Sequence, residues 1–255
     1  MERHSMRELL AIDMGNTLTK VGYFRNQILS KTWTCKPEGL RQLAGEIIRN
    51  IPIDHSFTVG WASVNQDEAI QNWDIWNRFE VPPLFQSINH SYPFPIQNLY
   101  QTPETLGMDR ILAVVGALGK ISAPPVLVID IGTAVTYDVV DKARRYLGGG
   151  ISPGMRMRFQ ALSTFTARLP LIQPENNFSL VGNSTHESIR SGVVNGLLEE
   201  LAGIIQRYKL EFSEEIVVIL AGGDASFFEK RLKSINFVEQ NLVLLGICES
   251  LLSPL

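Results

Sequence analysis

Cysteine is scarce in this chain, and charge of one sign is nowhere concentrated. The 255 residues include two cysteines, Cys35 and Cys248, which stand far apart and form no CxxC pair. We therefore expect neither a disulfide framework nor a zinc site, and the expected location is a reducing cytoplasm. Lysine plus arginine number 23 and aspartate plus glutamate 26, without a block of either sign. This distribution gives no indication of nucleic-acid binding.

Long hydrophobic runs and two common signatures are also missing. No stretch approaches the ~18 apolar residues of a transmembrane helix, and the first residues lack the apolar core of a signal peptide, so no membrane partner is expected. The absence of a GxxxxGK[ST] motif argues against a P-loop enzyme. The four histidines show no metal-ligand spacing. An anionic ligand would have to be bound by local groups of a globular protein.

The sequence does contain a repeated motif. LLAIDMGNTLTKVGYF near the N-terminus and VLVIDIGTAVTYDVVD in the middle of the chain share an apolar run that ends in Asp-x-Gly. Aligned on each other, Asp13 matches Asp130 and Gly15 matches Gly132. Two copies of one motif indicate two similar α/β lobes, which we assign to residues 1–122 and 123–255.

Hydrophobic periodicity predicts the elements of both lobes. Predicted strands cover Leu9 to Ile12, Leu18 to Phe24, Gln27 to Thr34, Thr58 to Ser63 and Ile216 to Leu220, and a strand pair opens at Val126. Predicted helices begin after Gly39, near Leu106 and after the stretch YLGGGISPGM (to about Thr166), and one covers Glu187 to Tyr208. The segment from Pro82 to Pro103 is expected to be a loop with at most short strands. The capping-box sequence STHE at 184–187 would begin the long helix.

The repeated motif has the residues that a phosphate site needs. Glycine permits a sharp turn, and successive N–H groups with the side chains of Asn16 and Thr17 can cradle phosphate oxygens. Asp13 can hold a hydrated magnesium ion, and Lys20 adds positive charge. One copy alone is equally compatible with an ordinary hairpin with Asx-turn chemistry. A pair, one in each lobe, favours ATP held between two hairpins.

The pair IDMGNT and IDIGTA resembles the two phosphate motifs of the acetate and sugar kinase, Hsp70 and actin superfamily. AGGD at 221–224, after a predicted buried strand, resembles its adenosine motif. This resemblance implies an α/β fold of two similar RNase H-like (actin-like ATPase) lobes, with mixed sheets and an ATP cleft between them.

Within that superfamily the chain resembles type III pantothenate kinase. The similar motifs are Tyr100 with LGMDR at 106–110, DIGTAVTYD at 130–138, GGGISPGM at 148–155 and TARLP at 166–170. The resemblance implies ATP-dependent phosphorylation of pantothenate to 4'-phosphopantothenate, the first step of coenzyme A biosynthesis. It also implies a homodimer that requires Mg²⁺ and a monovalent cation, K⁺ or NH₄⁺. The long predicted helix in the second lobe is the expected dimer interface.

The resemblance also implies the role of individual residues. Asp109 would be the catalytic base, Asp130 a ligand of the monovalent cation, and Asp13 a ligand of magnesium through water. Implied pantothenate contacts are Tyr100, Gly107, Met108, Asp109, Arg110 and Thr185. Implied ATP contacts are Asp13, Met14, Gly15, Asn16, Thr17, Leu18, Thr19, Lys20 and Thr133.

Each of these assignments has a structural alternative. Asp109 would suit the first turn of a helix, where the dipole favours a carboxylate. Arg110 could be a surface residue paired with Glu104, and Thr185 could be part of a helix cap. Asp130 could be a second magnesium ligand. The glycines at 148–150 and 154 allow a close approach of the backbone to a ligand or to the neighbouring lobe.

Two other functions are compatible with parts of the sequence. A non-catalytic relative could keep the ATP-binding fold as an accessory factor for a regulator, but it would not need Asp109 or Asp13, and both are present. A kinase of a sugar or of acetate would share the hairpins. The LGMDR motif and the short chain disfavour it, because many sugar kinases carry inserted subdomains.

Overall fold

A computed structural model describes residues 8–52, 56–63, 69–121, 125–212 and 215–252. These residues contain eleven strands and six α-helices. The strands are β1 (Glu8–Met14), β2 (Thr19–Arg25), β3 (Ile28–Cys35), β4 (Thr58–Ser63), β5 (Leu84–Ser87), β6 (Gln97–Asn98), β7 (Val126–Ile131), β8 (Ala134–Val140), β9 (Arg145–Pro153), β10 (Val217–Ala221) and β11 (Phe237–Val238). The helices are α1 (Leu40–Ile48), α2 (Met108–Leu118), α3 (Met155–Thr164), α4 (Thr185–Phe212), α5 (Ala225–Glu229) and α6 (Leu242–Leu252).

The chain forms two compact units. Unit 1 comprises residues 1–122 and 242–255, and unit 2 comprises residues 123–241. Helix α6 belongs to unit 1, so the predicted second lobe of residues 123–255 is wrong for this last segment. The predicted boundary falls at residues 122–124, which lie outside the described residues.

The two units have sheets of the same strand order. Unit 1 has the order β3-β2-β1-β4-β5, and the strands of unit 2 follow the matching order β9-β8-β7-β10-β11. In each unit the first three strands in the chain are antiparallel, and the next two join on the other side as parallel strands. Asp13 and Asp130 are both the next-to-last residue of the first strand. The predicted fold class, two similar α/β lobes with mixed sheets, is confirmed.

The central strands are buried on both faces, which explains their continuous apolar sequences. In β1, Leu10 and Ile12 pack into the cluster with α1, while Leu9 and Ala11 are buried on the opposite face. The equivalent strand β7 is equally apolar, and its Leu127 and Ile129 join the cluster under α4. Each hairpin therefore begins at the end of a strand that is buried in the core of its unit.

Helix α6 covers the second face of the sheet in unit 1, which is the physical reason for its place there. A Cβ atom on Gly22 would lie 3.0 Å from the side chain of Leu244, and a Cβ on Gly60 would lie 2.5 Å from that of Leu251. Strands β2 and β4 thus approach the helix closely where they lack side chains. The apolar face of β1 would otherwise be exposed to water.

Helices α2 and α6 pack against each other at two glycines, one on each helix. A Cβ on Gly116 would lie 2.1 Å from the carbonyl oxygen of Leu242, and a Cβ on Gly246 would lie 1.9 Å from that of Leu112. The two backbones are therefore in direct contact. As a result, α6 supports the helix at whose N-terminus Asp109 and Arg110 lie.

Candidate active site

The first hairpin joins β1 to β2 through an exposed turn. The amide of Gly15 donates a hydrogen bond to the carbonyl of Leu18 over 3.2 Å, and Asn16, Thr17 and Leu18 are exposed. A Cβ on Gly15 would lie 2.8 Å from that same carbonyl oxygen, so the turn needs glycine. The side chains and amides of this turn are accessible to a ligand.

Strand pairing sets the direction of the remaining residues of the hairpin. Asp13 lies opposite Lys20, so both side chains lie on one face of the sheet, and both are half-buried. Met14 lies opposite Thr19, and these two side chains are buried. Among the predicted ATP contacts, Met14 and Thr19 therefore present no side chain to solvent.

The start of α2 holds the predicted base. Asp109 is exposed in the first turn, and its Oδ1 accepts a hydrogen bond from the amide of Arg110 over 2.9 Å. A Cβ on Gly107, the residue before the helix, would lie only 2.3 Å from this oxygen. Gly107 thus leaves the space into which the Asp109 carboxylate folds. The helix dipole favours negative charge here, so the structural and catalytic interpretations of Asp109 are compatible.

Arg110 and Tyr100 lie together in unit 1. The guanidinium carbon of Arg110 lies 5.8 Å from the centre of the Tyr100 ring, within the range of a cation–π contact. Arg110 is 7% exposed, so the alternative of a surface arginine is wrong. Tyr100 is half-buried, and its amide donates a hydrogen bond to the side chain of Asn98. The structure brings Tyr100 and the sequence from Gly107 to Arg110 together, as one substrate site requires.

The second hairpin joins β7 to β8 through a tighter turn. The amide of Gly132 donates a hydrogen bond to the carbonyl of Ala134 over 3.0 Å, and Thr133 is exposed at the tip. Asp130 is half-buried at the foot of the turn. A Cβ on Gly132 would lie 3.0 Å from its Oδ1, and one on Gly222 would lie 2.6 Å away. The carboxylate therefore fills a space between two glycines.

Gly222 is the second residue of the predicted adenosine motif and has a φ of 88°, a value that favours glycine. The amide of Asp224, two residues on, donates a hydrogen bond to the carbonyl of Ile131 over 3.0 Å. Burial raises the pKa of the Asp224 carboxyl above its ordinary value, and the charge of Arg156 acts in the opposite direction. The AGGD loop is thus attached to the end of the strand that carries Asp130. The sequence indicates this motif, but no ligand contact was predicted for its individual residues.

The glycine-rich stretch, for which no element was predicted, forms strand β9. A Cβ on Gly149 would lie 1.6 Å from the carbonyl oxygen of Tyr137 on the neighbouring strand. A Cβ on Gly154 would lie 2.4 Å from the carbonyl oxygens of both Gly132 and Thr133. At these two positions the close approach is to the unit's own sheet and turn, a case that the sequence analysis did not consider.

The start of α4 is capped by Ser184. Its Oγ accepts a hydrogen bond from the amide of Glu187 over 3.3 Å, as a capping box requires. The Glu187 carboxylate accepts a hydrogen bond from the amide of Asn183, one residue before the expected position. Thr185 is the first residue of the helix and is exposed. The capping bond therefore comes from Ser184, and the Thr185 hydroxyl faces solvent.

Metal binding here has to be judged from single carboxylates. The described residues contain no group of three His, Cys, Asp or Glu side chains that could hold a metal ion. Asp130 nevertheless fits a hard cation, because its oxygen lies beside the backbone of two glycines, and hard cations prefer carboxylate and carbonyl oxygens. Asp13 fits magnesium held through water, since such sites often use one protein carboxylate plus phosphates.

A cavity of 520 Å³ lies elsewhere in unit 1. It is lined by Gln71, Asn72, Trp73, Asp74, Trp76, Asn77, Phe79, Pro82 and Phe85. None of these is a predicted site residue.

In the part of the chain that the structure describes, no helix is long and apolar enough to cross a membrane.

Solved structures share the fold of this chain at low sequence identity. A candidate Baf family transcriptional activator from Campylobacter jejuni superposes with a TM-score of 0.62 at 20% identity, covering 95% of this chain and 96% of its own. A candidate N-acetylmannosamine kinase from Listeria monocytogenes gives 0.51 at 12% identity, covering 96% and 98%. At these identities the likeness shows the fold alone, which this chain shares with both solved structures.

Sequence comparison then identifies the family. The model of the type III pantothenate kinase family matches residues 9–207. A type III pantothenate kinase from Flavobacterium johnsoniae is 37% identical over 242 residues, which cover 95% of this chain and 96% of the relative. The chain belongs to the type III pantothenate kinase family. It is accordingly a kinase that uses ATP to phosphorylate pantothenate to 4'-phosphopantothenate, the first step of coenzyme A biosynthesis.

Proposed function

We propose that Asp109 is the general base of this pantothenate kinase and that Gly107 and Arg110 set its position. The observation that carries the proposal is the conformation of the Asp109 carboxylate, which is exposed, held by the amide of Arg110 and packed over Gly107. Phosphoryl transfer depends mostly on positioning and charge neutralisation. A fixed carboxylate can orient the substrate hydroxyl and accept its proton as the new P–O bond forms.

The substrate contacts in this proposal are Tyr100, Arg110 and Thr185. The planar guanidinium of Arg110 is suited to a carboxylate or a phosphate, and its central carbon lies 5.8 Å from the centre of the Tyr100 ring. The exposed Thr185 hydroxyl is available for a hydrogen bond, because Ser184 makes the cap. The backbone of Gly107 and Met108 completes the set, since the Met108 side chain is buried.

The nucleotide contacts come from both hairpins. In the first, Gly15 and the exposed Asn16, Thr17 and Leu18 offer amides and side chains to the phosphates. Asp13 and Lys20 follow on one face, with Asp13 holding magnesium through water. In the second hairpin, Thr133 at the tip is the nucleotide contact.

Asp130 is the proposed ligand of a monovalent cation, K⁺ or NH₄⁺. The bound ion would neutralise a half-buried carboxylate that lies next to the phosphate turn. If Asp130 were instead a second magnesium ligand, turnover would need Mg²⁺ but would not depend on K⁺ or NH₄⁺. Turnover measured with Mg²⁺ in sodium buffer should be low and should rise on addition of K⁺ or NH₄⁺. Full turnover in sodium alone would refute the proposal.

The base is tested by Asp109→Asn, which keeps the size of the side chain but removes its proton acceptance. General-base contributions are about 10²–10⁴-fold, so kcat should fall by this order. The affinity for ATP should stay within a factor of about two, because the hairpins are unchanged. Near-normal turnover would remove Asp109 from the mechanism. A loss of turnover accompanied by a melting temperature several degrees lower would favour a structural role.

The acceptor is tested with a panel of hydroxylated compounds and ATP. Pantothenate should be phosphorylated, whereas sugars and acetate should not. Turnover of another acceptor with pantothenate left unchanged would contradict the assigned substrate and leave the kinase class intact. Nucleotide binding without turnover of any acceptor would favour a non-catalytic relative.

We also propose a homodimer formed through unit 2. Several large apolar side chains of this unit are exposed, among them Ile151 (67%), Phe165 (84%), Leu180 (79%) and Val181 (79%). Exposed large apolar side chains mark protein interfaces where they adjoin one another on the surface, and the proposal is that these do. Helix α4, the interface expected from the sequence, adds Leu210 at 73% exposure. Light scattering should give twice the chain mass, and a value of 28.5 kDa at micromolar concentration would refute the dimer.

A further inference from the structure

The turn that carries Thr133 rests on the end of strand β9. The amide of Gly154 donates a hydrogen bond to the Thr133 carbonyl over 3.1 Å, and Pro153 lies opposite Ala134 in the β8–β9 pairing. The contact at Gly154 is too close for any side chain. A shift of this segment would therefore move the backbone of Thr133.

Arg158, in the second turn of α3, holds this segment. Its Nε donates a hydrogen bond to the carbonyl of Pro153 over 2.8 Å, and its Nη2 donates one to the Ser152 hydroxyl over 2.9 Å. Its amide donates a third bond, to the carbonyl of Gly154 over 3.1 Å. One residue thus contacts all three consecutive residues that support the turn.

Glu200, on α4, fixes the guanidinium of Arg158. Its Oε2 lies 2.5 Å from Nη2 of Arg158, and its Oε1 accepts a hydrogen bond from the Tyr137 hydroxyl over 2.9 Å. The side chains of Arg158 and Glu200 are 21% and 25% exposed, so water screens the pair less than it screens a surface pair. Burial alone would raise the pKa of Glu200, but hydrogen bonds from Arg158, Ser152 and Tyr137 hold it below its ordinary value.

We propose that Arg158 and Glu200 are positioning residues for nucleotide binding, acting through Ser152, Pro153 and Gly154 on the turn that carries Thr133. Both side chains act through the backbone and touch no substrate atom in this scheme. The inference rests on the proposed role of Thr133 as a nucleotide contact. Because the turn that would move carries a proposed nucleotide contact, the effect should fall on ATP binding rather than on pantothenate binding.

The main test is Glu200→Gln, which keeps the shape of the side chain but removes the charge that fixes Arg158. Glu215→Gln is the matched control, because Glu215 is an exposed partner of Lys142 in the same unit. Calorimetry with a non-hydrolysable ATP analogue and Mg²⁺ should show binding about tenfold weaker in Glu200→Gln and unchanged in the control. The KM for ATP should rise in parallel, and the KM for pantothenate should stay within twofold.

Arg158→Lys supplies a second, independent readout. Lysine keeps the positive charge but cannot bond Pro153, Ser152 and Glu200 together with a planar fork. We expect an intermediate loss of nucleotide affinity, smaller than in Arg158→Met. The double variant with Glu200→Gln should lose little more than Arg158→Met alone, because both changes break one network.

Two results would overturn the inference. The first is nucleotide affinity within twofold of the wild type in Arg158→Met and Glu200→Gln; the second is an equal rise of both KM values, which indicates a general structural role. If either variant fails to fold, Tyr137→Phe removes a single hydrogen bond to Glu200 and should still weaken analogue binding with pantothenate KM unchanged. Analogue binding is measured without pantothenate, so failure of the assigned acceptor and failure of this inference are separate outcomes. A wild-type chain that does not bind the analogue would refute both.

Discussion

Gly107→Ala should disable catalysis with little effect on folding. The added Cβ would lie 2.3 Å from Oδ1 of Asp109, whereas ordinary contacts of a Cβ begin at 3.4 Å. The carboxylate must therefore move by about 1 Å, and it can do so by rotating, because it is the end of a side chain. Gly107 has a φ of −54° and a ψ of 132°, a conformation that alanine adopts without strain.

The expected loss follows from this displacement. A misplacement of about 1 Å at a reacting group can cost about 10²-fold in rate. The hydrogen bond from the Arg110 amide would also be lost, at about 0.5–1.5 kcal/mol. We expect kcat to fall by about 10²-fold, the melting temperature to change by only a few degrees and analogue affinity to stay unchanged.

The assay is steady-state phosphorylation of pantothenate, with a thermal melt of the same sample. Gly45→Ala is the matched control: Gly45 lies inside α1 of the same unit, and its added Cβ would make an ordinary contact with Ile75 at 3.8 Å. The control should keep its activity and gain up to about 1 kcal/mol of stability. Wild-type kcat in Gly107→Ala would refute the assigned position of the base.

Three further predictions concern stability. Gly246→Ala places a Cβ 1.9 Å from a backbone oxygen of α2, so it should cost at least about 1–3 kcal/mol and lower the melting temperature; an unchanged melt would contradict the direct helix contact. Tyr146→Phe removes the 2.6 Å hydrogen bond to Asp138, which is 1% exposed, and denaturant titration should show a loss of about 1–3 kcal/mol. Burial raises the pKa of Asp224 in the folded state, so stability is lost as the pH rises from the ordinary pKa of an aspartate through this raised pKa. Asp224→Asn should therefore be more stable than the wild type at pH 7, and the difference should vanish below about pH 4; a gain that persists at low pH would show another cause.

The sequence predicts elements best where burial is continuous. Strand β4 has the predicted bounds Thr58–Ser63. A strand that is buried on both faces is apolar along its whole length, so the ends of the apolar run mark the ends of the strand. The apolar residues that define the periodicity of α4, such as Val193, Leu197 and Leu201, are buried as expected. Its ends extend further, from Thr185 to Phe212, because periodicity does not mark the last turns of a helix.

Strand β9 and helix α6 are among the elements that escaped prediction, and the reasons differ. Strand β9 contains three consecutive glycines, which have low strand propensity, and its pairing is fixed by contacts with β8 rather than by its own sequence. Helix α6 is apolar on nearly all sides, so its sequence has little helical periodicity to recognise. Its partner lies in unit 1, and no local pattern reports such a distant contact.

The sequence proposes the residue types of the candidate site but not the contacts that support them. Asp109 and Arg110 follow from the LGMDR motif, yet the packing of Asp109 over Gly107 and the contact of Arg110 with Tyr100 are seen only in three dimensions. Arg158 and Glu200 lie 42 positions apart, and no motif links them. Tertiary contacts of this kind leave little trace in a single sequence.

The place of α6 in unit 1 has a consequence for the order of events during translation. The helix that closes one face of this unit is made only after the whole of unit 2, residues 123–241, has been synthesised. Domains usually fold as units while synthesis proceeds, but here Leu9 and Ala11 on β1 must wait for α6. Unit 2 can complete its core first, and the helix that carries Asp109 is fixed in place last. The proposed catalytic base is therefore fixed in place only after unit 2 has been synthesised.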